Sequence, residues 1–157
     1  MARRKNVSLH RRAVVATGGA LMLLRVVHVG ASDANALPAV AELTDYLAGR
    51  APRFGRLVLD IPRLADNGNA VPLRISMTGL FVPGAELKSV RLYSEKNPVP
   101  LMARFEFPVP PARADIDTRV RLAGTQRIAG IAELANGDLH AAVADVEVTL
   151  SACLDGS

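Results

Sequence analysis

Two hydrophobic periods succeed one another along the chain, a helical one before residue 50 and an alternating one from residue 57 to residue 150. Val40, Leu43 and Leu47 recur at spacings of three and four, which gathers them on one helical face. Pro38 suits a first helical turn and Gly49 can supply a left-handed stop, so a helix is predicted over residues 37–48. After Gly55 the period becomes two. Leu57, Leu59 and Ile61 alternate with Val58 and Asp60, and Val71, Leu73, Ile75 and Met77 form a second such set. Asp66-Asn67-Gly68-Asn69 between them reads as a turn, because Asn and Gly tolerate positive φ. Pro72 lacks a ladder donor and belongs at an edge or at a strand's beginning. Further strands are predicted over 90–94, 101–107, 116–122, 126–135 and 139–150, the last divisible in two. Pro- and Gly-rich separators divide them, and Asn136-Gly137 is the clearest hairpin signal.

About seven short strands with no helical pattern between them predict a mainly β domain. Its expected form is an immunoglobulin-like antiparallel β-sandwich with one N-terminal helix after a cleavable leader. The division follows: residues 1–36 an export signal, 37–150 the sandwich with its helix, and 151–157 a cysteine-bearing tail.

Charge placement supports that division. Residues 1–36 hold six Lys or Arg and one acid, leaving 13 of the 19 basic and 14 of the 15 acidic groups to residues 37–157. The basic character of the chain therefore belongs to the leader. With no Trp, two Tyr and four Phe, the body is also poor in groups for base stacking, and nucleic acid is not an expected partner. In the leader a basic start precedes the apolar run Ala13 to Leu24, and Ala34-Asn35-Ala36 is an A-x-A cleavage pattern. The apolar run is about a dozen residues, against the roughly 20 of a spanning helix, so no membrane anchor is expected after cleavage. Arg11-Arg12 ahead of it resembles the twin-arginine signal that exports folded proteins, with Val14 where Phe is usual. The expected location is the periplasm, with the mature chain starting near Leu37.

Candidate chemistry is sparse. Beyond the leader the body has one histidine, His140, which reads as a strand or hairpin residue rather than a ligand or a partner for the thiol. No recurring ligand spacing, phosphate loop or nucleophile elbow appears, so neither a catalytic residue nor a metal or other cofactor is expected. Phe105 and Phe107, with Leu101 and Ala103, read as core; Arg119 and Arg121 read as a solvated strand face, and Asp115 and Asp117 as a surface pair offset by neighbouring arginines. What remains is Cys153, the one cysteine, in the tail Ser151-Ala152-Cys153-Leu154-Asp155-Gly156-Ser157. It cannot form an internal disulfide. From the residues alone its uses are burial, pairing with another molecule, or reaction as a free thiol.

As a set, Leu59-Asp60-Ile61-Pro62, the stretch Ala65 to Leu73, Asn97-Pro98, Phe105 to Phe107, Thr118 to Leu122, Ala132-Glu133 with Asn136-Gly137, and Val146 to Leu150 leading to Cys153 resemble the SoxY family of sulfur carriers. The resemblance covers nearly the whole chain. It implies a periplasmic sandwich subunit that pairs with a SoxZ-like sandwich subunit and holds sulfur intermediates covalently on Cys153, without being an enzyme itself. It also implies three enzymes that work on that thiol: a c-type cytochrome that joins thiosulfate to it oxidatively, a manganese hydrolase that releases sulfate, and a sulfur dehydrogenase that oxidises the remaining sulfane. A covalent carrier needs one exposed thiolate on a thin tether and no catalytic apparatus of its own. The family's arm is Gly-Gly-Cys-Gly-Gly, whereas here Ser151 and Ala152 precede the cysteine, Leu154 and Asp155 follow it, and only Gly156 is kept. Leu154 adds bulk to the arm, and Asp155 sets a carboxylate beside a thiol that must ionise and accept anionic cargo. The contrasting expectation is an exported sandwich that assembles partners, with Cys153 passive or in an intermolecular disulfide.

Overall fold

In the computed structural model, which describes residues 34–151, nine strands are found among those residues, and the alternating positions form most of them. The smaller sheet is β2 (Leu57–Asp60), β4 (Val71–Met77) and β7 (Asp115–Val120), antiparallel with β4 in the middle. Val71, Leu73, Ile75 and Met77 are buried while Pro72 and Arg74 are exposed, as the period of two requires. Pro72 begins a central strand, not an edge one. The β2 ladder ends at Asp60 opposite Arg74, so the proline lies beyond it and faces only Arg119 of β7.

The larger sheet runs β1 (Arg53–Phe54), β9 (Leu139–Leu150), β8 (Gln126–Leu134), β5 (Leu87–Ser94), β6 (Leu101–Glu106), with β3 (Leu64–Asn67) also on β9. β9 is one unbroken strand of 12 residues, not two. Its outer edge is shared. β1 pairs with His140 and Ala141, and β3 with the stretch from Glu147 to Leu150, both in parallel. The sandwich is thus antiparallel except along this edge. The predicted turn at 66–69 is in fact the end of β3 followed by a 3-10 turn at Gly68–Ala70, in which Asn67 Oδ1 accepts from Asn69 N–H at 2.9 Å.

The hairpin between β8 and β9 stands where Asn136-Gly137 placed it, with a loop of three residues. Gly137 N–H donates to Leu134 O and Leu134 N–H to Asp138 O, each at 2.9 Å, and only Gly137 of the loop has a positive φ, +86°. That is a turn closed by a left-handed glycine, and Asn136 keeps an ordinary backbone.

β8 is apolar on both faces because both are covered. Ile128, Ala132 and Leu134 join Leu73, Ile75, Val90, Leu92, Val120, Leu122 and Val146 in the core between the sheets. Phe105 and Phe107 of the edge region are half-buried against that core. Gly130 admits the other sheet closely: a Cβ there would lie 2.9 Å from Leu59 Cδ2 and 3.3 Å from Leu57 Cδ2. The opposite face of β8, Ala129 and Ile131, packs with Tyr93, Leu139 and Ala141 beneath the helix α1 (Ala41–Leu47) through Val40 and Leu43.

The helix is shorter than predicted at its start, since Pro38 lies outside it and Val40 is the N-cap. It ends where expected, but Ala48 enters the left-handed region (φ 47°) ahead of Gly49 (φ 78°). Arg50 compensates by donating to the carbonyls of Tyr46 (3.0 Å) and Leu47 (3.2 Å). Tyr46 ties the helix to the sheet. Its hydroxyl donates to Glu133 Oε2 at 2.7 Å, and the Arg91 guanidinium lies 3.7 Å from the ring centroid. Burial first, and then the bond to Glu133, push the Tyr46 hydroxyl up to about 12.

Candidate functional site

The cysteine-bearing segment follows β9 in sequence, and the last residues of that strand are gripped from both edges. β8 pairing stops at Gln126 opposite Val146. Beyond that point Thr125 takes over with its side chain, its Oγ1 accepting from Val148 N–H at 2.9 Å. On the other edge Glu147 N–H donates to Arg63 O at 2.7 Å, Thr149 Oγ1 donates to Asp66 O at 2.8 Å, and Leu150 pairs with Asn67. The strand is therefore fixed up to its final residue.

The surrounding rim is wired by amides. Asn97 Oδ1 accepts from Ala123 N–H and from Gln126 Nε2, both at 3.0 Å, while its Nδ2 donates to Arg121 O at 2.8 Å. Gln126 Oε1 in turn accepts from Lys96 N–H at 2.9 Å, and Lys96 Nζ donates to Thr125 O at 2.5 Å. Leu122 N–H donates to Gly68 O at 2.8 Å, which ties the rim to the start of β4. Buried Gln126 has a partner for both its nitrogen and its oxygen in this network, as a buried amide requires. Sequence reading marks Asn97-Pro98 as a separator and as one of the stretches that carry the family resemblance, and it gives no functional part to Thr125 or Gln126. The amide network itself is not legible there, because the partners of an amide are set by loops distant in the chain.

Of the tail residues singled out above, Ser151 is the last one described; it is exposed, and its Oγ lies 3.5 Å from where a Cβ on Gly124 would stand. Ala152, Cys153, Leu154, Asp155 and Gly156 lie outside the described residues, as do Arg11 and Arg12. In sequence Cys153 comes three residues after Leu150, the last residue of the strand.

His140 is at the other end of β9. It stands ten positions before Leu150 along the strand, about 30 Å at the usual rise. It is 4% exposed, and burial first, then the nearby charges of Arg56 and Arg53, hold its imidazole below the usual histidine range. It is a buried strand residue, neutral near neutral pH. Among the described residues no three His, Cys, Asp or Glu side chains come together as a set of metal ligands. None of the described helices is long and apolar enough to cross a membrane.

A depression of 480 Å³ on the outer face of the smaller sheet includes Asp60, Arg74, Asp117 and Arg119. Arg74 there lies 2.5 Å from Asp115 and 3.9 Å from Asp117, which is the offset expected for the surface carboxylates. Asp60 and Asp117 beside Arg119 leave no surplus of positive charge for an anion, and Arg119 and Arg121 are exposed.

Residues 43–153 match the family of sulfur oxidation protein SoxY, a span that includes the whole sandwich after the first helical residues and stops at the cysteine. This chain belongs to the SoxY family. The SoxY assignment links the domain to sulfur oxidation and to a system with a SoxZ partner. None of the curated proteins matches the chain with significance. Among solved structures, the superoxide reductase (neelaredoxin) from Ignicoccus hospitalis is similar with a TM-score of 0.52 at 16% identity, covering 60% of this chain and 80% of that one. The superoxide reductase from Nanoarchaeum equitans gives 0.50 at 14% identity, with 61% of this chain and all of that chain covered. A putative superoxide reductase from Thermotoga maritima gives 0.50 at 12% identity, over 63% and 88% of the two chains. At these identities the likeness is one of fold. The SoxY chain shares the mainly β two-sheet architecture with these proteins.

Proposed function

We propose that this SoxY-family chain is a periplasmic covalent carrier in the oxidation of thiosulfate or related sulfur compounds, loaded on the thiol of Cys153. The observation that carries the reading is the family match ending at a single cysteine that lies three residues beyond a fully anchored strand. A carrier thiol has two requirements that oppose each other: it must enter the active sites of other proteins, and it must be presented from a fixed origin. The grip on β9 up to Leu150 supports the second, and the seven residues from Ser151 to Ser157 supply the arm.

In this reading the Cys153 thiolate and thiosulfate together lose two electrons to a c-type cytochrome and join through a new sulfur–sulfur bond. Water then cleaves the outer bond at a manganese hydrolase, releasing sulfate and leaving a persulfide on the cysteine. A sulfur dehydrogenase oxidises that sulfane, and a SoxZ-like subunit pairs with the sandwich. The domain itself supplies no catalytic group; its part is to hold and present. Export through a twin-arginine leader suits a subunit that folds with its partner before leaving the cytoplasm.

Leu154 and Asp155 give weight to the second reading, an assembly module whose thiol is not loaded. Whole-protein mass spectrometry of the exported chain from cells oxidising thiosulfate separates the two. The carrier gains the mass of a thiosulfonate or of added sulfur atoms, reversible by reductant and absent in Cys153→Ser, which also stops sulfur oxidation. An unmodified chain, together with full oxidation in Cys153→Ser cells, would sink the carrier reading.

A further inference from the structure

We propose that a cleft of 310 Å³ lined by Leu37, Pro38, Ala39, Glu95, Arg127 and Asp145 is the seat of the mature amino terminus, receiving the α-ammonium of Leu37 once residues 1–36 are removed. The inference rests on the leader and not on the chemistry of Cys153. Ala34, Asn35 and Ala36 are exposed and outside any helix or strand, whereas Pro38 and Val40 are buried, so the boundary between accessible and packed chain falls at the A-x-A pattern. The carbonyl of Ala36, the group a peptidase must attack, accepts from Arg127 Nη1 at 3.0 Å. The folded domain thus already holds the scissile bond at the mouth of the cleft.

Charge completes the picture. Arg127 grips Asp145 through two bonds of 2.7 Å, and Glu95 Oε2 accepts from Arg127 N–H at 3.3 Å. Two carboxylates thus face one guanidinium in the lining, with Arg63 acting on Asp145 from outside it. The intact Ala36–Leu37 peptide bond is itself uncharged. Hydrolysis adds one water across the Ala36–Leu37 bond: the new carboxylate leaves on Ala36 with the leader, and the new ammonium stays on Leu37. Arg127 loses a carbonyl acceptor as a cleft lined by two carboxylates gains a cation. Processing then fixes the start of the mature chain against β8 and β9, and the cleft discriminates between precursor and product.

The test uses the full chain, exported and processed by a cell with twin-arginine transport, with N-terminal sequencing and intact mass to find the first residue. The expected start is Leu37. The α-amine of the processed protein is then titrated by its rate of acylation from pH 6 to pH 10, against a synthetic peptide beginning Leu-Pro-Ala-Val. Seated between carboxylates, it stays protonated to higher pH, and at pH 8 the first unit of added basicity slows its acylation about fourfold. Glu95→Gln, which keeps the Arg127 and Asp145 bonds, should recover several-fold of that rate, and Asp145→Asn serves as the second variant. A start at another residue overturns the proposal. So does an amine that reacts like the peptide's, or one whose slow rate is indifferent to both variants. Cys153→Ser leaves every one of these readouts unchanged, so failure here and failure of the carrier reading are distinct results.

Discussion

Replacing Tyr46 with Phe takes one oxygen from the contact between α1 and the larger sheet and leaves the ring in place. The Tyr46 hydroxyl donates to Glu133 Oε2 at 2.7 Å, while Glu133 Oε1 holds Lys88 Nζ at 3.1 Å and the Glu133 side chain is 14% exposed. A hydrogen bond to a charged acceptor contributes about 1.5–3 kcal/mol net. Lys88 and water still reach Glu133 in the variant, and screening at a half-buried site trims the loss, so about 1–2 kcal/mol is expected at pH 7. For a domain of this size that lowers Tm by about 4–8 °C. The Phe ring keeps its place beside Arg91 and stacked near Tyr93, so the packing contribution is unchanged. The pH dependence gives a sharper check. Burial pushes the Glu133 carboxyl up, but the bonds from Tyr46 and Lys88 outweigh it and hold the group below its usual value. A carboxyl lowered by folding stabilises above its unfolded pKa and loses that contribution as pH falls through the folded one. The gap between wild type and Tyr46→Phe should therefore be full at pH 6–8 and narrow below about pH 4. At the alkaline end the Tyr46 hydroxyl is raised to about 12, so its contribution is complete below pH 10 and fades as pH climbs from there towards 12. Thermal melts and denaturant titrations of both proteins across this range measure the gap. Equal stability at pH 7, or a gap that stays constant down to pH 3, would refute the reasoning.

At the end of β9, Thr125→Val removes the only side-chain acceptor that Val148 N–H is seen to use, while leaving the shape of the residue nearly unchanged. Amide exchange at Val148 should quicken about fivefold, the equivalent of about 1 kcal/mol of local opening, with little change in global Tm; unchanged protection would remove Thr125 from the anchor. In the tail, Asp155→Asn removes the carboxylate two residues from the thiol. Alkylation of Cys153 at neutral pH should then run several-fold faster, with the advantage shrinking in high salt as screening replaces the mutation. Equal rates at low salt would show that Asp155 does not act on the thiol.

Strand positions were legible where one face of a strand meets the core and the other meets solvent. β4 shows this plainly, with four buried residues alternating with partners that stay wet, and so does the Asn136-Gly137 hairpin, whose glycine takes the left-handed conformation that other residues avoid. β1 and β3 were not legible. Two residues, and four with Ala65 alone buried, carry no period, and both exist because β9 offers an open edge that only the assembled sheet creates. The parallel pairing there follows from the same cause. Pro72 illustrates the point from the other side: its missing donor excludes one ladder, and which ladder is spared depends on where β2 happens to end.

The sequence by itself determined the chemistry available to this protein: one cysteine near the end of the chain, one histidine after residue 36, a basic first segment with an A-x-A pattern, and the ordered set of segments that marks a SoxY chain. These are properties of composition and order, which folding does not alter. Tertiary structure decided where that chemistry is presented. It set His140 about 30 Å along β9 from the strand's end, held Val148 to Leu150 between the loop of Thr125 and β3, and brought Glu95, Arg127 and Asp145 together beside Leu37. Those placements depend on hydrogen bonds and charge pairs between segments far apart in the chain, and such pairs are selected by the closing of the two sheets.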